Sequence, residues 1–183
     1  LRFWRIAAAL GLGLSTLACS PALNWREVPL AQVTVLLPCK PDRAQRIVNL
    51  GPLQTSMQMA GCEAAGALYA VSHVRLADPS QVAGAQSAWQ KASLSSMRSE
   101  TVQRRSIKRS QALAALQQRR TGSPSTDALL DVLNVQGHNT DGTQLQAHLA
   151  WLADGADLYH VAVYGVRLES DTVDLLFSEL KLQ

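Results

Sequence analysis

The sequence has 183 residues, of which 47% are hydrophobic and 17% charged, a balance typical of a globular domain rather than a disordered or collagen-like chain. At this length about 70% of the unfolded surface can be buried, so a core can form without a metal or a disulfide. The net charge is +3, from 17 basic and 14 acidic residues, and setting aside Arg2 and Arg5 leaves +1. This near-neutral balance gives no support for a nucleic-acid partner.

The first eighteen residues have the pattern of a secretory signal. Arg2 and Arg5 precede an apolar run over 6–17, and no acidic residue occurs before Glu27. The run is shorter than the ~20 residues that a membrane-spanning helix needs. A basic start followed by such a run is typical of exported proteins, so the sequence predicts that residues 1–18 are a signal peptide.

The stretch Thr16-Leu17-Ala18-Cys19 resembles a bacterial lipobox. The resemblance implies cleavage before Cys19, a diacylglycerol thioether on its sulfur and acylation of the new amine. Two or more acyl chains anchor a protein stably in a membrane. The alternative is an ordinary signal peptide that ends at a chance cysteine. Ser20, in a position where enterobacterial sorting uses Asp for inner-membrane retention, favours the outer membrane and a domain that faces the periplasm.

The middle of the chain predicts several strands and a helix. Gly51-Pro52 and Asp78-Pro79-Ser80 are turn signals, and Asp78-Pro79-Ser80 also suits a helix start. Apolar and β-branched residues between such signals predict strands over 25–28, 33–37, 44–50, 54–63 and 67–76. Apolar or small residues then recur at steps of three and four, which predicts a helix over 80–99: Val82, Ala85, Trp89, Ala92 and Ser96.

The C-terminal third predicts an antiparallel meander followed by a helix. Strands are expected over 129–136, 144–151 and 158–166, separated by Asn139-Thr140-Asp141-Gly142 and Asp154-Gly155. Ser170 is expected to cap the last helix. The buried face of that helix is expected to comprise Val173, Leu176, Phe177 and Leu180.

Basic residues are concentrated between the two halves, where Glu100 is the only acidic residue of the run: Arg98, Arg104, Arg105, Lys108, Arg109, Arg119 and Arg120. The segment could continue the first helix, form a second helix or be flexible. On one continuous helix the charges would fall within about half the circumference. Such a stripe suits anionic lipid headgroups, lipopolysaccharide phosphates or an acidic envelope protein, and the alternative is a solvated helix face.

Two stretches resemble the fold group of the photosystem protein PsbP and the envelope lipoprotein DcrB. The first is 33–42, a buried strand that ends in Pro38-x-x-Pro41, and the second comprises 158–163 and 177–182. The resemblance implies an α+β domain, an antiparallel sheet flanked by helices in an α/β/α sandwich. We expect residues 19–32 to hold the lipidated cysteine, a tether and the first strand, and 33–183 to form the single domain. Members of this group have unrelated roles, so fold predicts little about function.

Cys39 and Cys62 are the other two cysteines of the chain. In an oxidising periplasm two remaining thiols usually pair, so we expect a disulfide, the alternative being two separate buried thiols. No histidine or cysteine stands at metal-ligand spacing from either cysteine. His148 and His160 could face one another across the turn at Asp154-Gly155, but with no third ligand they are interpreted as cross-strand or surface residues.

The sequence contains no catalytic motif, and no catalytic residue, metal or cofactor is predicted. The leading hypothesis is a membrane-anchored envelope lipoprotein that acts as a non-enzymatic binding or assembly module. An alternative is a periplasmic enzyme of the hydrolase class, whose site is assembled from residues distant in sequence. A cytosolic nucleic-acid binder that uses the basic run is a third class, which the leader and the charge balance disfavour.

Overall fold

A computed structural model describes residues 23–108 and 129–182, and these form ten strands and two α-helices. The strands are β1 (Arg26–Leu30), β2 (Val33–Leu37), β3 (Asp42–Leu50), β4 (Leu53–Ala64), β5 (Ala67–Arg75), β6 (Thr101–Lys108), β7 (Leu129–His138), β8 (Gln144–Asp154), β9 (Asp157–Gly165) and β10 (Lys181–Leu182). The helices are α1 (Val82–Ser96), which follows a 3-10 turn at Pro79–Gln81, and α2 (Ser170–Ser178). Neither helix is long and apolar enough to cross a membrane, within the part of the chain described.

The strands form two antiparallel sheets. The larger has seven strands in the order β3-β4-β5-β9-β8-β7-β6, and the smaller has three in the order β1-β2-β10. Short turns join the neighbours β3 and β4, β4 and β5, β7 and β8, and β8 and β9, as hairpin chemistry requires. The expected α+β architecture with a mostly antiparallel sheet is therefore confirmed.

Helices and the small sheet cover the two faces of the large sheet. On one face α1 packs through Val82, Ala85 and Trp89, whose spacing of three and four residues places them on one side of the helix. On the other face lie α2 and the small sheet, and their apolar residues join a second core with β5 and β9. The large sheet is thus the middle layer between two hydrophobic cores.

The predicted strands agree closely with those observed, and the two predicted helices are present. The buried face predicted for α2 is confirmed for Val173, Leu176 and Phe177, whereas Leu180 is equally buried but lies after the end of the helix, before β10. The predicted N-cap of α2 was wrong: Ser170 is the first helical residue, and Glu169 precedes it without a side-chain capping hydrogen bond. Strand β1 pairs along its whole length with β2, so the small sheet includes the segment expected next to the tether.

The basic run was expected to continue the first helix, to form a second helix or to be flexible, and none of these holds for residues 101–108, which form strand β6. Met97 ends α1, and Arg98 follows in the left-handed region at φ 44°. The amide of Glu100 then donates to the carbonyl of Gln136 at 2.9 Å, which starts the pairing of β6 with β7. Cross-strand hydrogen bonds and the burial of Ile107 therefore outweigh the local helical periodicity. Residues 109–128 lie outside the described residues.

Gly137 allows the chain leaving α1 to pass close to β7. The amide of His138 donates to the carbonyl oxygen of Met97 at 2.7 Å. A Cβ atom on Gly137 would lie 2.2 Å from that same oxygen. Because the obstacle is backbone rather than a flexible side chain, a larger residue there would force the two segments apart.

We predict that Gly137→Ala destabilises the protein by about 3 kcal/mol, since the new methyl group cannot be accommodated without a backbone shift. Gly84→Ala is the matched control, because Gly84 lies in α1 and a Cβ there meets no heavy atom within 4 Å. The control should raise stability by up to about 1 kcal/mol through helix propensity. Chemical denaturation of the two variants tests this, and equal stabilities would contradict the close approach.

Candidate functional site

A disulfide joins the two sheets. Cys39 lies just after β2, Cys62 lies in β4, and their sulfur atoms are bonded with a Cα–Cα distance of 5.9 Å. The predicted pairing of Cys39 with Cys62 is confirmed. The bond fixes one end of the small sheet against the large sheet, next to the core that both share.

The basic residues predicted to contact an anionic surface do not share one face. Arg98 lies in the turn after α1, whereas Arg104, Arg105 and Lys108 lie on β6. Side chains alternate between the two faces of a strand, so Arg104 and Lys108 point to the α1 face and Arg105 to the α2 face. The expected helical stripe is therefore absent from the described residues, while Arg109, Arg119, Arg120 and the lipidation candidate Cys19 lie outside them.

Carboxylates from neighbouring elements pair with two of these arginines. Arg104 donates to Asp131 of β7 at 2.8 Å, and Ser106 donates to the same carboxylate, so the pKa of Asp131 is lowered. Arg105 donates to both carboxylate oxygens of Asp174 in α2, at 2.6 and 3.3 Å. These pairs reduce the local positive charge that the sequence alone suggested, and the second one braces α2 against β6.

His148 and His160 do not face one another across the turn, and His160 is a buried residue rather than a surface one. In the β8–β9 register His148 is opposite Val163, and His160 is opposite Trp151. His148 points to the α2 face of the sheet and His160 to the α1 face. The two-residue turn sets the register of β8 against β9, and this register decides which side chains face one another.

His160 is a core residue. Its ring stacks on Trp151 with a centroid distance of 4.5 Å and lies 5.2 Å from the ring of Trp89. Its Nε2 atom is buried without a hydrogen-bond partner. Burial lowers the pKa of His160 to about 3, so the imidazole is neutral in the folded protein and contributes as an aromatic group.

A second buried histidine lies on the opposite face. The Nε2 atom of His73 is 2.8 Å from Oδ1 of Asp157, and Arg75 donates to Oδ2 at 3.0 Å. His73 also stacks on Tyr159, with ring centroids 4.8 Å apart, and is only 7% exposed. The hydroxyl of Tyr159 accepts a hydrogen bond from the amide of Gln32 between β1 and β2, so the cluster attaches the small sheet to the large one.

On the α2 face of the large sheet, the adjacent strands β6, β7 and β8 carry a group of polar side chains. We call these residues the carboxamide patch: Thr101, Gln103, Asn134, Gln136, Gln146 and His148. Strand register aligns them in two rows of three, Gln103 with Asn134 and His148, and Thr101 with Gln136 and Gln146. With the backbone of β7 and β8 they line a cavity of about 170 Å³.

Two atoms of the carboxamide patch are buried without a hydrogen-bond partner, Oδ1 of Asn134 and Nδ1 of His148. Buried polar atoms in native proteins are nearly always paired, so these two, on the facing residues Asn134 and His148, mark a place where the polar lining is not satisfied by the described residues. Burial and the nearby Arg105 lower the pKa of His148, so its imidazole is neutral at neutral pH. The patch therefore offers hydrogen bonds without a net charge.

Sequence reasoning missed the carboxamide patch, although part of its signal is present. Asn134 and Gln136 in β7, and Gln146 and His148 in β8, are polar pairs two residues apart, so each pair lies on one face of its strand. A solvated strand face has the same pattern. The three strands have to be aligned before the pairs form one surface, and Gln103 belongs to a segment that was not predicted to be a strand.

Other surfaces offer less specific chemistry. A larger depression of about 520 Å³ runs along one side of α1, but it is wide open and lined by one helix and the turn that follows it. Within residues 23–108 and 129–182, no three histidine, cysteine or acidic side chains come together as a metal site would require. Comparison of the chain with protein-family models, curated proteins and solved structures gives no match.

We predict that replacing both Cys39 and Cys62 with alanine lowers the free energy of unfolding by about 3 kcal/mol, because the bond closes a loop with a sequence separation of 23. Reductant should destabilise the parent by a similar amount and leave the double variant unchanged. Mass spectrometry of unreduced peptides should find the two cysteines joined, and two free thiols under oxidising conditions would contradict the pairing.

Stability should fall in mild acid because of His160. The unfolded imidazole takes up a proton below its ordinary pKa of about 6.5, whereas the folded one does so only near pH 3. Stability is therefore lost as the pH falls between these values, with about 2 kcal/mol of the loss from this residue between pH 7.5 and 5. Denaturant unfolding at both pH values should show a smaller loss in His160→Phe, which keeps an aromatic ring, and an unchanged loss would contradict this assignment.

Proposed function

We propose that the chain is an exported bacterial lipoprotein, anchored through acylated Cys19 in the outer membrane and facing the periplasm. The observation that carries the proposal is the Cys39–Cys62 bond, because structural disulfides form and persist in oxidising compartments such as the periplasm. The basic and apolar leader and the lipobox-like stretch 16–19 support the same compartment.

Within the envelope, a binding or assembly role has more support than an enzymatic one. The carboxamide patch supplies hydroxyl, amide and neutral imidazole groups around one cavity, and such groups suit recognition. A hydrolase, the alternative, would draw on the His73–Asp157 pair, since a carboxylate can orient a histidine base. That pair is buried beside the ring of Tyr159 and links β5 to β9 within the large sheet, which leaves a substrate little access to it.

We also propose that the domain has the PsbP/DcrB-like α/β/α arrangement. The support is the layer order, with α1 on one face of the antiparallel sheet and α2 on the other. The strand 33–37 and the segment 158–163 that carry the resemblance are β2 and part of β9. This proposal concerns fold alone, because one fold hosts many functions.

Contact with anionic lipid headgroups or with another envelope protein has weaker support than anchoring. Arg104 and Arg105 are already paired with Asp131 and Asp174, and exposed ion pairs attract a distant surface less than free cations do. Arg98 and Lys108 are exposed and could still add to a membrane held close by the anchor. The near-neutral charge gives no support for a nucleic-acid partner.

We predict that Cys19→Ser abolishes incorporation of a palmitate analogue in intact bacterial cells, because the serine hydroxyl cannot replace the thiol in the lipid-transfer reaction. Ser20→Ala is the control, since it alters the neighbouring residue and keeps the thiol. Fractionation should find the parent and the control with membranes, and the Cys19→Ser protein released from them. Equal labelling of Cys19→Ser and the parent would refute lipidation at this residue.

A further inference from the structure

We infer that the carboxamide patch is a binding site for an uncharged, hydroxyl-rich ligand of about one sugar ring, either a free monosaccharide or the end of a glycan. The inference rests on the proposed binding role and names its ligand class, but it does not depend on the lipid anchor. Its basis is the meeting of six hydrogen-bonding side chains around one cavity, two of them with buried, unpartnered atoms.

Charge excludes the common classes of ionic ligand. Each of the described side chains lining the cavity is uncharged, given a neutral His148. The nearest cation, Arg105, already has its terminal nitrogens on Asp174. An anionic ligand would therefore find no cationic side chain in the lining, and a cationic ligand no carboxylate, to offset the loss of its hydration.

Hydrogen-bonding capacity matches hydroxyl groups. Carboxamides of Gln103, Asn134, Gln136 and Gln146 each present a carbonyl acceptor beside an amino donor. A sugar hydroxyl donates one hydrogen bond and accepts others, so adjacent hydroxyls can pair with both ends of such a group. An apolar ligand would instead leave these groups unpaired, which is the costly outcome for a polar lining.

Size and rigidity limit the ligand further. A cavity of about 170 Å³ is smaller than the ~300 Å³ at which sites for drug-sized molecules begin. Its lining comes from β6, β7 and β8, whose register holds the two rows of side chains in place. To one side, Gln146 pairs with Gly165 of β9, and Leu168 packs closely over this glycine. A Cβ atom on Gly165 would lie 2.8 Å from the Leu168 side chain.

The test uses the whole chain, purified in micelles of a detergent without a sugar headgroup. The probes are glucose, galactose, mannose and N-acetylglucosamine, with maltotriose and the N-acetylglucosamine trimer as glycan ends and glucuronate as the charged comparison. Side-chain amide resonances of Asn134, Gln136 and Gln146 report occupancy directly in nitrogen–proton spectra. We expect at least one neutral probe to shift these resonances with a millimolar dissociation constant, as suits a ligand of this size.

Asn134→Ala should weaken binding of that probe by about tenfold or more, since it removes a buried acceptor. Asn49→Ala is the matched control, because Asn49 is exposed on β3 and far from the patch, and its affinity should equal that of the parent. Gln146→Ala, with Gln58→Ala as its control on β4, provides a second pair if Asn134→Ala lowers the melting temperature. Tighter binding of a trimer than of its monomer would identify a glycan end, and the reverse a free monosaccharide.

Absence of shifts with every neutral probe would overturn the inference, as would equal binding of glucuronate or equal affinities of Asn134→Ala and Asn49→Ala. The lipid-labelling result is independent of these outcomes. Binding by a protein that is not acylated would remove the anchor and keep the site, whereas acylation without binding would keep the anchor and remove the sugar site.

Discussion

Burial of β9 on both faces is the constraint on which the rest of the structure depends. Eight of its nine residues are buried, and successive side chains enter opposite cores. Tyr159, Val161 and Val163 pack with the small sheet and α2, while Leu158 and Ala162 pack in the core that α1 covers. β5 and β8 pair with this strand on either side, so its register sets the position of both neighbours. A slip of one residue would turn the side chains that belong to one core toward the other.

Polar groups on this frame divide into two kinds. His73 and His160 lie in the central strands, and their environments make them structural: His73 is paired with Asp157, and His160 is neutral between two tryptophans. The carboxamide patch lies nearer the β6 edge of the large sheet, and its side chains line a cavity of about 170 Å³. The surroundings of the buried unpartnered atoms differ between these places. His160 is enclosed by core side chains, whereas His148 and Asn134 line a cavity.

Local pattern predicted the elements whose neighbours agree with it. β2 and β9 are largely apolar runs bounded by turn residues, and the apolar positions of α1 recur at helical spacing, so each was recognised within a few residues. β6 was not recognised as a strand. Its charged residues are compatible with a helix, and its partner strand β7 follows only after the segment 109–128. The disulfide could be predicted from the expected export of the chain and the number of its cysteines. The patch could not, because it depends on the register between three strands.

The proposed anchor and the proposed site are compatible because of where the small sheet lies. A tether from Cys19 would enter at β1, which packs over β4 and β5, whereas the carboxamide patch lies on β6, β7 and β8. In the large sheet β9 and β8 separate β5 from β7, so three strand spacings, about 14 Å, lie between β5 and β7 on that face. The Arg105–Asp174 pair holds α2 against β6. A ligand could therefore reach the patch beside α2 without competing with the tether, and the rigid sheet would hold the site at a set distance from the point of attachment.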